Sequence, residues 1–355
     1  MKTPPQRLVH DPEGLNAGSW PPPAEPITPT PFFFTRSHAP VPAIDPGSYR
    51  LQVTGLVQRS RSFTLDQLQS FPRRTLAATL VCAGLRRDEF LSLGPLPGEL
   101  PWGPEPISTG EWTGVALGDL LREVGWTAQT RYVELIGLDR VERHGRSFGF
   151  GGSLDLEKAL GDEVLLATHL NGAPLPPAHG FPLRAVVPGW IGARSVKWLG
   201  SISLRTDPTE NYFQTQAYRV LRELDPRAPR DVSAGVALAE VPVNSVIIEP
   251  SADNQLEAGR TTVRGWAMGS AARTVTRVEV AVDSGSWMPA RLQPQESAWT
   301  WTLWEAELDL APGTHTLTVR ATDSSGATQP ESIRDTWNVK GYANNAWHRV
   351  AIQVS

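Results

Sequence analysis

The chain has 355 residues, which at roughly 150 residues per domain points to about two domains. Lys+Arg number 33 against 37 Asp+Glu, a formal net charge of −4, which excludes the basic excess of a general nucleic-acid or membrane-surface binder. One cysteine excludes an intrachain disulfide, a CxxCH haem site, a Cys-ligated iron–sulfur cluster and a Cys-rich zinc site, so any redox chemistry needs a cofactor that asks for at most one protein thiolate.

No run of 18 apolar residues exists to span a membrane, and MKTPPQRLVHDPEGLN has neither an apolar signal core nor a twin-Arg; a cytoplasmic chain is expected, or a periplasmic one if the sequence is a trimmed mature form. Twelve prolines fall in the first 46 residues. Residues 1–30 are expected to form a Pro-rich, extended segment, and a disordered tail up to Pro29 is as good a reading as an ordered one. FFFTRSHAPVPAID is too aromatic for a solvated tail and should pack on a core. Residues 31–234 read as a mixed α and β unit. YRLQVTGLV and RTLAATLVC have strand character, as do YVELIGLD, VLLATHL and LRAVVPG. FTLDQLQSFP predicts a short helix capped by Thr64, and SLDLEKALG another; TGVALGDLLREVGW places Leu117, Leu120, Leu121 and Val124 at helical spacing before Gly125. From about residue 235 the helix pattern stops. Alternation at Val278, Val280, Val282 and at Leu317, Val319, Ala321, with turns at Asp283-Ser284-Gly285, Pro312-Gly313 and Ser324-Ser325-Gly326, predicts an immunoglobulin-like β-sandwich over 235–355. Trp299 and Trp301 fit a core or an interface.

Three features could carry chemistry. Cys82 ends a strand in LVCAGLRR, where Arg86 and Arg87 would favour the thiolate and so a soft-metal ligand; the alternative is a small buried hydrophobe. The stretch HGFPLRAVVPGWIGARSVKWL gathers His179, Arg184, Arg194 and Lys197 among glycines, either as an anion-binding loop or as a strand–loop–strand with solvated charges. Arg36, Arg87 and Lys340 stand in apolar or aromatic contexts, and spacing alone does not bring them together. His169 reads as an ordinary surface or supporting residue, and His348 as C-terminal packing.

A resemblance adds to this. FTRSHAPVP, TLVCAGLRR, Trp102 and Trp112, EWTGVALGDLL, GLDR, HGFPLRAVVPGWIGARSVKWLG, FQTQAYR, VRGWA, ATDSSGATQP and WNVKGYANNAWHRV, in that order, resemble the sulfite oxidase family of molybdenum enzymes along nearly the whole chain. The resemblance implies an α+β molybdopterin domain followed by an all-β immunoglobulin-like dimerisation domain, and hence a homodimer. It implies Cys82 as molybdenum ligand, with molybdopterin supplying its own sulfurs. Arg36, Arg87, Trp102, Tyr218 and Lys340 match the oxyanion pocket. Phe34, Ser37, His38, Asp139, His179, Arg184, Ser195, Val196 and Lys197 match residues that hold the pterin and its phosphate. The implied reaction is oxygen transfer to sulfite, giving sulfate, with electrons passed to an external acceptor, dioxygen or a cytochrome, since the chain has no haem-binding sequence. Departures bear on the substrate: Lys340 stands where the family has Arg, Leu85 and Ser37 where it has Asn, and THLNG, with Thr168 and His169, where it has YEMNG. Rival readings are oxidation of another sulfur compound, such as a protein-bound sulfane sulfur, and reduction of nitrate or an S- or N-oxide; a pterin-free binding protein on the same fold is the non-enzymatic one.

Overall fold

The computed structural model describes residues 6–20, 25–222, 231–252 and 254–355. The short helices begin where the sequence caps them. Thr64 accepts from the Gln67 N–H while the Gln67 side chain accepts from the Thr64 N–H, opening helix Leu65–Gln69. Leu117, Leu120, Leu121 and Val124 bury one face of helix Leu117–Val124, and Gly125, at φ +65°, ends it.

The first unit has two sheets. Strands Gly151–Asp155, Tyr132–Gly137, Leu199–Arg205, Leu51–Gly55 and Arg61–Phe63 lie in that order, antiparallel except that Leu51–Gly55 runs parallel to Leu199–Arg205. The other sheet runs Ala173–Pro174, Leu165–Leu170, Ile107–Ala116, Arg73–Val81, with Arg184–Val186 added on Leu165–Leu170. Leu51, Val53, Leu120, Leu135, Leu166 and Ile202 share one core. The second unit is a sandwich. Asn244–Glu249, Gly259–Met268, Thr302–Leu310 and Arg291–Leu292 form one sheet; Gln255–Leu256, His348–Val354, Gly313–Asp323, Val275–Val282 and Met288–Pro289 form the other. The alternating Val278, Val280, Leu317, Val319 and Ala321 all face its core, with Trp304. The chain is thus a mixed α+β unit followed by an all-β immunoglobulin-like sandwich.

A third core joins the two units. Val81, Ala83, Leu85 and Ile107 pack with Val246, Trp266, Met268 and Trp301. The Trp301 N–H donates to Thr79 Oγ1 and the Thr79 N–H to the Trp299 carbonyl, each at 2.9 Å. The segment after the last sandwich helix then reaches back: the Ala343 N–H donates to the Ala83 carbonyl at 2.7 Å, beside Cys82.

Residues 6–20 are not a tail. Gln6–Val9 and Ala17–Trp20 form a hairpin, Ala17 exchanges backbone hydrogen bonds with Thr35 at 2.7 and 3.0 Å, and the Thr28 N–H donates to the Thr109 carbonyl. Neighbouring chain thus satisfies backbone groups that would otherwise need water, and the extended segment stays ordered. Pro4, Pro5 and the prolines at 21–23 lie outside the described residues.

Candidate active site

Strand Arg73–Val81 delivers Cys82 into a tight turn. Its N–H donates to the Pro106 carbonyl at 2.9 Å, and its Sγ accepts from the Gly84 N–H at 3.4 Å. The thiol is buried yet lines a cavity. Burial raises its pKa, and Arg36 and Arg87 oppose that rise. The expectation that Arg86 and Arg87 together favour the thiolate is therefore corrected. Arg86, at φ +58°, is turned into the domain junction, where it pairs with Glu89 at 2.6 Å and donates to Asn244 Oδ1 and the Ala346 carbonyl, both at 2.8 Å. Arg36, distant in sequence, acts on the thiol instead.

Arg87 is held on three sides: Nε donates to the Gly341 carbonyl at 3.2 Å, Nη1 to the Leu100 carbonyl at 2.9 Å, and Nη2 meets Glu99 at 3.2 Å. Its guanidinium lies 5.0 Å from the centre of the Tyr342 ring. A Cβ on Gly84 would come within 2.8 Å of its guanidinium carbon, and one on Gly341, at φ +59°, within 2.8 Å of its Cγ. Both glycines are needed for an arginine so tightly held. Lys340 Nζ meets the same Glu99 carboxylate at 2.7 Å. Arg36 donates to Asn16 Oδ1 at 2.8 Å, to the Ser37 carbonyl at 2.6 Å and to His38 Nδ1 at 3.3 Å.

The His38 ring fixes a hydroxyl. Burial, with Arg36 beside it, keeps His38 well below the usual histidine range, so the ring is neutral. Nδ1 accepts from Arg36, hence Nε2 carries the proton and donates to Tyr218 Oη at 2.8 Å. The Tyr218 O–H is then free to donate elsewhere. Burial pushes this phenol up to about 12, so it stays protonated. Tyr218 holds a left-handed backbone, φ +51°, rare for a bulky residue, and stacks on Tyr342 at 5.5 Å.

The cavity beside Cys82 is lined by Phe34, Arg36, Ser37, His38, Asp139, His179, Arg184, Ser195, Lys197 and Tyr218, together with Phe33 and Phe150. Lys197 Nζ donates to Ser37 Oγ at 2.6 Å and to the Ala178 carbonyl at 3.0 Å. Arg184 donates to the His179 and Ser195 carbonyls at 3.0 and 2.9 Å, fixing both ends of the 179–195 loop. Ser195 Oγ accepts from the Val187 N–H, and Asp139 Oδ1 from the Phe150 N–H, each at 2.9 Å. Four expected residues do not line the cavity. Val196 is buried in the first core; Trp102 is fully buried, 4.3 Å from His10; Arg87 and Lys340 sit around Glu99. Arg194 is a structural staple, donating to the Phe213 and Leu238 carbonyls.

A model of the oxidoreductase molybdopterin binding domain matches residues 38–213, and one of the Mo-co oxidoreductase dimerisation domain matches 236–355. The chain is 38% identical over 332 residues to sulfite oxidase of Gallus gallus, covering 91% of this chain and 72% of that protein. The chain belongs to the sulfite oxidase family of molybdopterin-dependent oxidoreductases. It is 39% identical over 341 residues to mitochondrial sulfite oxidase of Homo sapiens, where it covers 93% of itself but only 62% of that protein. An inducible NADH nitrate reductase of Glycine max is 38% identical over 361 residues, 92% of this chain and 39% of that one. Among solved structures, the sulfane dehydrogenase SoxCD of Paracoccus pantotrophus superposes with a TM-score of 0.80 at 27% identity, covering 99% of this chain and 90% of that one.

The residues of this family member fit an anionic pterin. Of the described lining residues Asp139 alone is acidic. Burial, then Arg184, holds Lys197 well below the usual lysine range, and burial lowers Arg184 to about 9. Such a crowd of buried cations lacks a counter-charge, which a phosphate would supply. The Trp102 indole N–H is buried without a hydrogen-bond partner among the described residues. No helix of the described residues is long and apolar enough to cross a membrane.

Several residues of the site escaped the sequence reading. Asn16 lay inside the Pro-rich segment and carries no motif. Glu99 sits in GELPW, three residues before Trp102, where an acid amid cations gave no signal until the fold closed. Tyr342, two residues after Lys340 in a quoted block, was the most accessible from spacing.

The buried histidines also set an acid limit. Burial, with Arg184 and Lys197, lowers His179 to about 3; burial, with Arg86, lowers His348 to about 3; His38 is lowered too. Below pH 6.5 the unfolded chain takes up protons that the folded one refuses, so stability falls as pH falls, by about 1.4 kcal/mol per unit for each such histidine. Urea midpoints at pH 7.5 and 5.5 check this: the midpoint should drop, and equal midpoints would show these rings charged or exposed.

Proposed function

We propose that this protein oxidises sulfite to sulfate at a Cys82-ligated molybdenum, as a homodimer formed through residues beyond about 235, and passes the electrons to an external acceptor, dioxygen or a cytochrome. The observation that carries it is that Arg36 and a protonated Tyr218 line the cavity of the buried Cys82 thiol, while Arg87 acts on that thiol from beside Glu99, where it meets Lys340 of the second domain. In this reading molybdopterin-bound molybdenum supplies the two-electron redox step and the oxygen exchange. The chain's own groups do the rest. Arg36, Arg87 and Lys340 bind the oxyanion by charge-assisted hydrogen bonds, and the free Tyr218 O–H orients it. Lys197, Arg184, His179, Ser37 and Asp139 hold the pterin and its phosphate. The buried Trp102 wall, with Phe33 and Phe34, limits water at the thiol.

The likeness to a sulfane dehydrogenase favours, as a second reading, a larger sulfur substrate whose terminal sulfur reaches the same pocket. An anaerobic visible spectrum of the purified protein separates them. Bleaching of a thiolate-to-molybdenum charge-transfer band by sulfite is the expected result. A band unmoved by sulfite but bleached by a persulfide-bearing substrate would sink the sulfite reading in favour of the second.

A further inference from the structure

We propose that Glu99 sets the charge of the anion this pocket accepts: a tethered carboxylate, seated on Arg87 and Lys340, that removes one unit of positive charge and yields its place to the incoming oxyanion. This rests on the reading that Arg87 and Lys340 bind the substrate. The contacts are close. Glu99 Oε2 lies 3.2 Å from Arg87 and Oε1 lies 2.7 Å from Lys340, with the carboxylate side chain 13% exposed. Lys340 Nζ has no other hydrogen-bond partner among the described residues. Arg87's other acceptors, the Gly341 and Leu100 carbonyls, are backbone and stay fixed, whereas Glu99 is a side chain on rotatable bonds. Arg36 by contrast meets only neutral partners, Asn16, Ser37 and His38. Glu99 also raises the phenols of Tyr218 and Tyr342, which places it within electrostatic reach of the substrate hydroxyl.

The consequence is a preference by charge. Three cations less one carboxylate leave a formal charge of two, which a dianion neutralises. Coulomb energy scales with the product of charges, so removing Glu99 strengthens a dianion's binding twice as much, in free energy, as a monoanion's.

The test is equilibrium binding of sulfate and of nitrate, by calorimetry at low ionic strength, to molybdenum-loaded full-length chain and to its Glu99→Gln variant. The sulfate Kd should fall by about tenfold and the nitrate Kd by only about threefold. Glu99→Ala removes the same charge and serves if glutamine is not tolerated; melting temperatures check that the variants fold. Sulfate affinity unchanged or weakened in folded variants, or equal gains for both anions, would overturn the role of Glu99. Wild-type protein that takes up molybdenum yet binds neither anion would instead bring down the pocket on which the inference rests. Loss of sulfite turnover alone, with the sulfate and nitrate shifts intact, would count against the reaction and leave Glu99's role standing.

Discussion

A Cys82→Ser chain should fold, keep its domain junction and lose sulfite turnover by well over a hundredfold. Substituting groups that merely support a metal ligand costs about 10–100-fold, and a ligand itself costs more. Serine offers a hard, protonated hydroxyl where a soft, polarisable thiolate is wanted. The fold has little stake in the sulfur. The Cys82 N–H is satisfied by Pro106, its carbonyl by the Leu85 N–H, and Sγ accepts only the long contact from Gly84. The stability change should stay within about 1 kcal/mol. Steady-state kinetics, molybdenum content and thermal unfolding on the same preparation check the result. Activity within tenfold of wild type would mean that Cys82 is not the ligand.

Lys197→Met should split holo from cofactor-free behaviour. In the cofactor-free chain the ammonium is buried near Arg184 and Arg36, with Asp139 alone opposing them, and it is held well below the usual lysine range. Removing an under-compensated buried charge should stabilise that form by about 1–2 kcal/mol, net of the lost bonds to Ser37 and Ala178. With molybdopterin present, the same change would, on the proposed reading, delete a charge-assisted contact to its phosphate, and retained molybdenum should fall by about tenfold or more. The sign with pH follows. Because the folded lysine binds its proton more weakly than the unfolded one, the cofactor-free wild type gains stability as pH rises towards 10.5, and Lys197→Met loses that dependence. Denaturation of cofactor-free protein at pH 7 and pH 9.5, beside metal analysis of the loaded protein, measures both arms. A variant less stable without cofactor and unchanged in molybdenum content would show that Lys197 only braces the 179–197 loop.

Most of the candidate site was legible as short blocks. Cys82 with Arg87, and His179 to Lys197, lie in continuous segments whose composition is unusual for a core. The sandwich was equally visible, because alternation at Val278, Val280, Leu317 and Val319 is a local record of one buried face. Legibility failed where a side chain's direction depends on one dihedral. Arg86 and Arg87 are neighbours, yet the left-handed backbone at Arg86 sends one guanidinium into the junction and leaves the other on Glu99, within electrostatic reach of the Cys82 thiol. It failed also in the Pro-rich segment, where nothing local distinguishes a solvated strand from one whose partners lie at Thr35 and Thr109.

The sequence by itself determined the class of the larger parts, a mixed α+β unit, a β-sandwich after it and the family through ordered blocks, and offered Cys82 at a strand end and the cation-rich 179–197 stretch as candidates. Those properties follow from residue type and near spacing. Only the tertiary structure decided which charges meet. Arg36, Arg87 and Lys340 come from three distant stretches, and it is the packing of the 337–347 segment on the Cys82 turn that sets Lys340 and Arg87 about one carboxylate. Coulomb energy depends on separation in space, which no local pattern encodes, so the strength of the pocket, and the part Glu99 plays in it, belong to the fold.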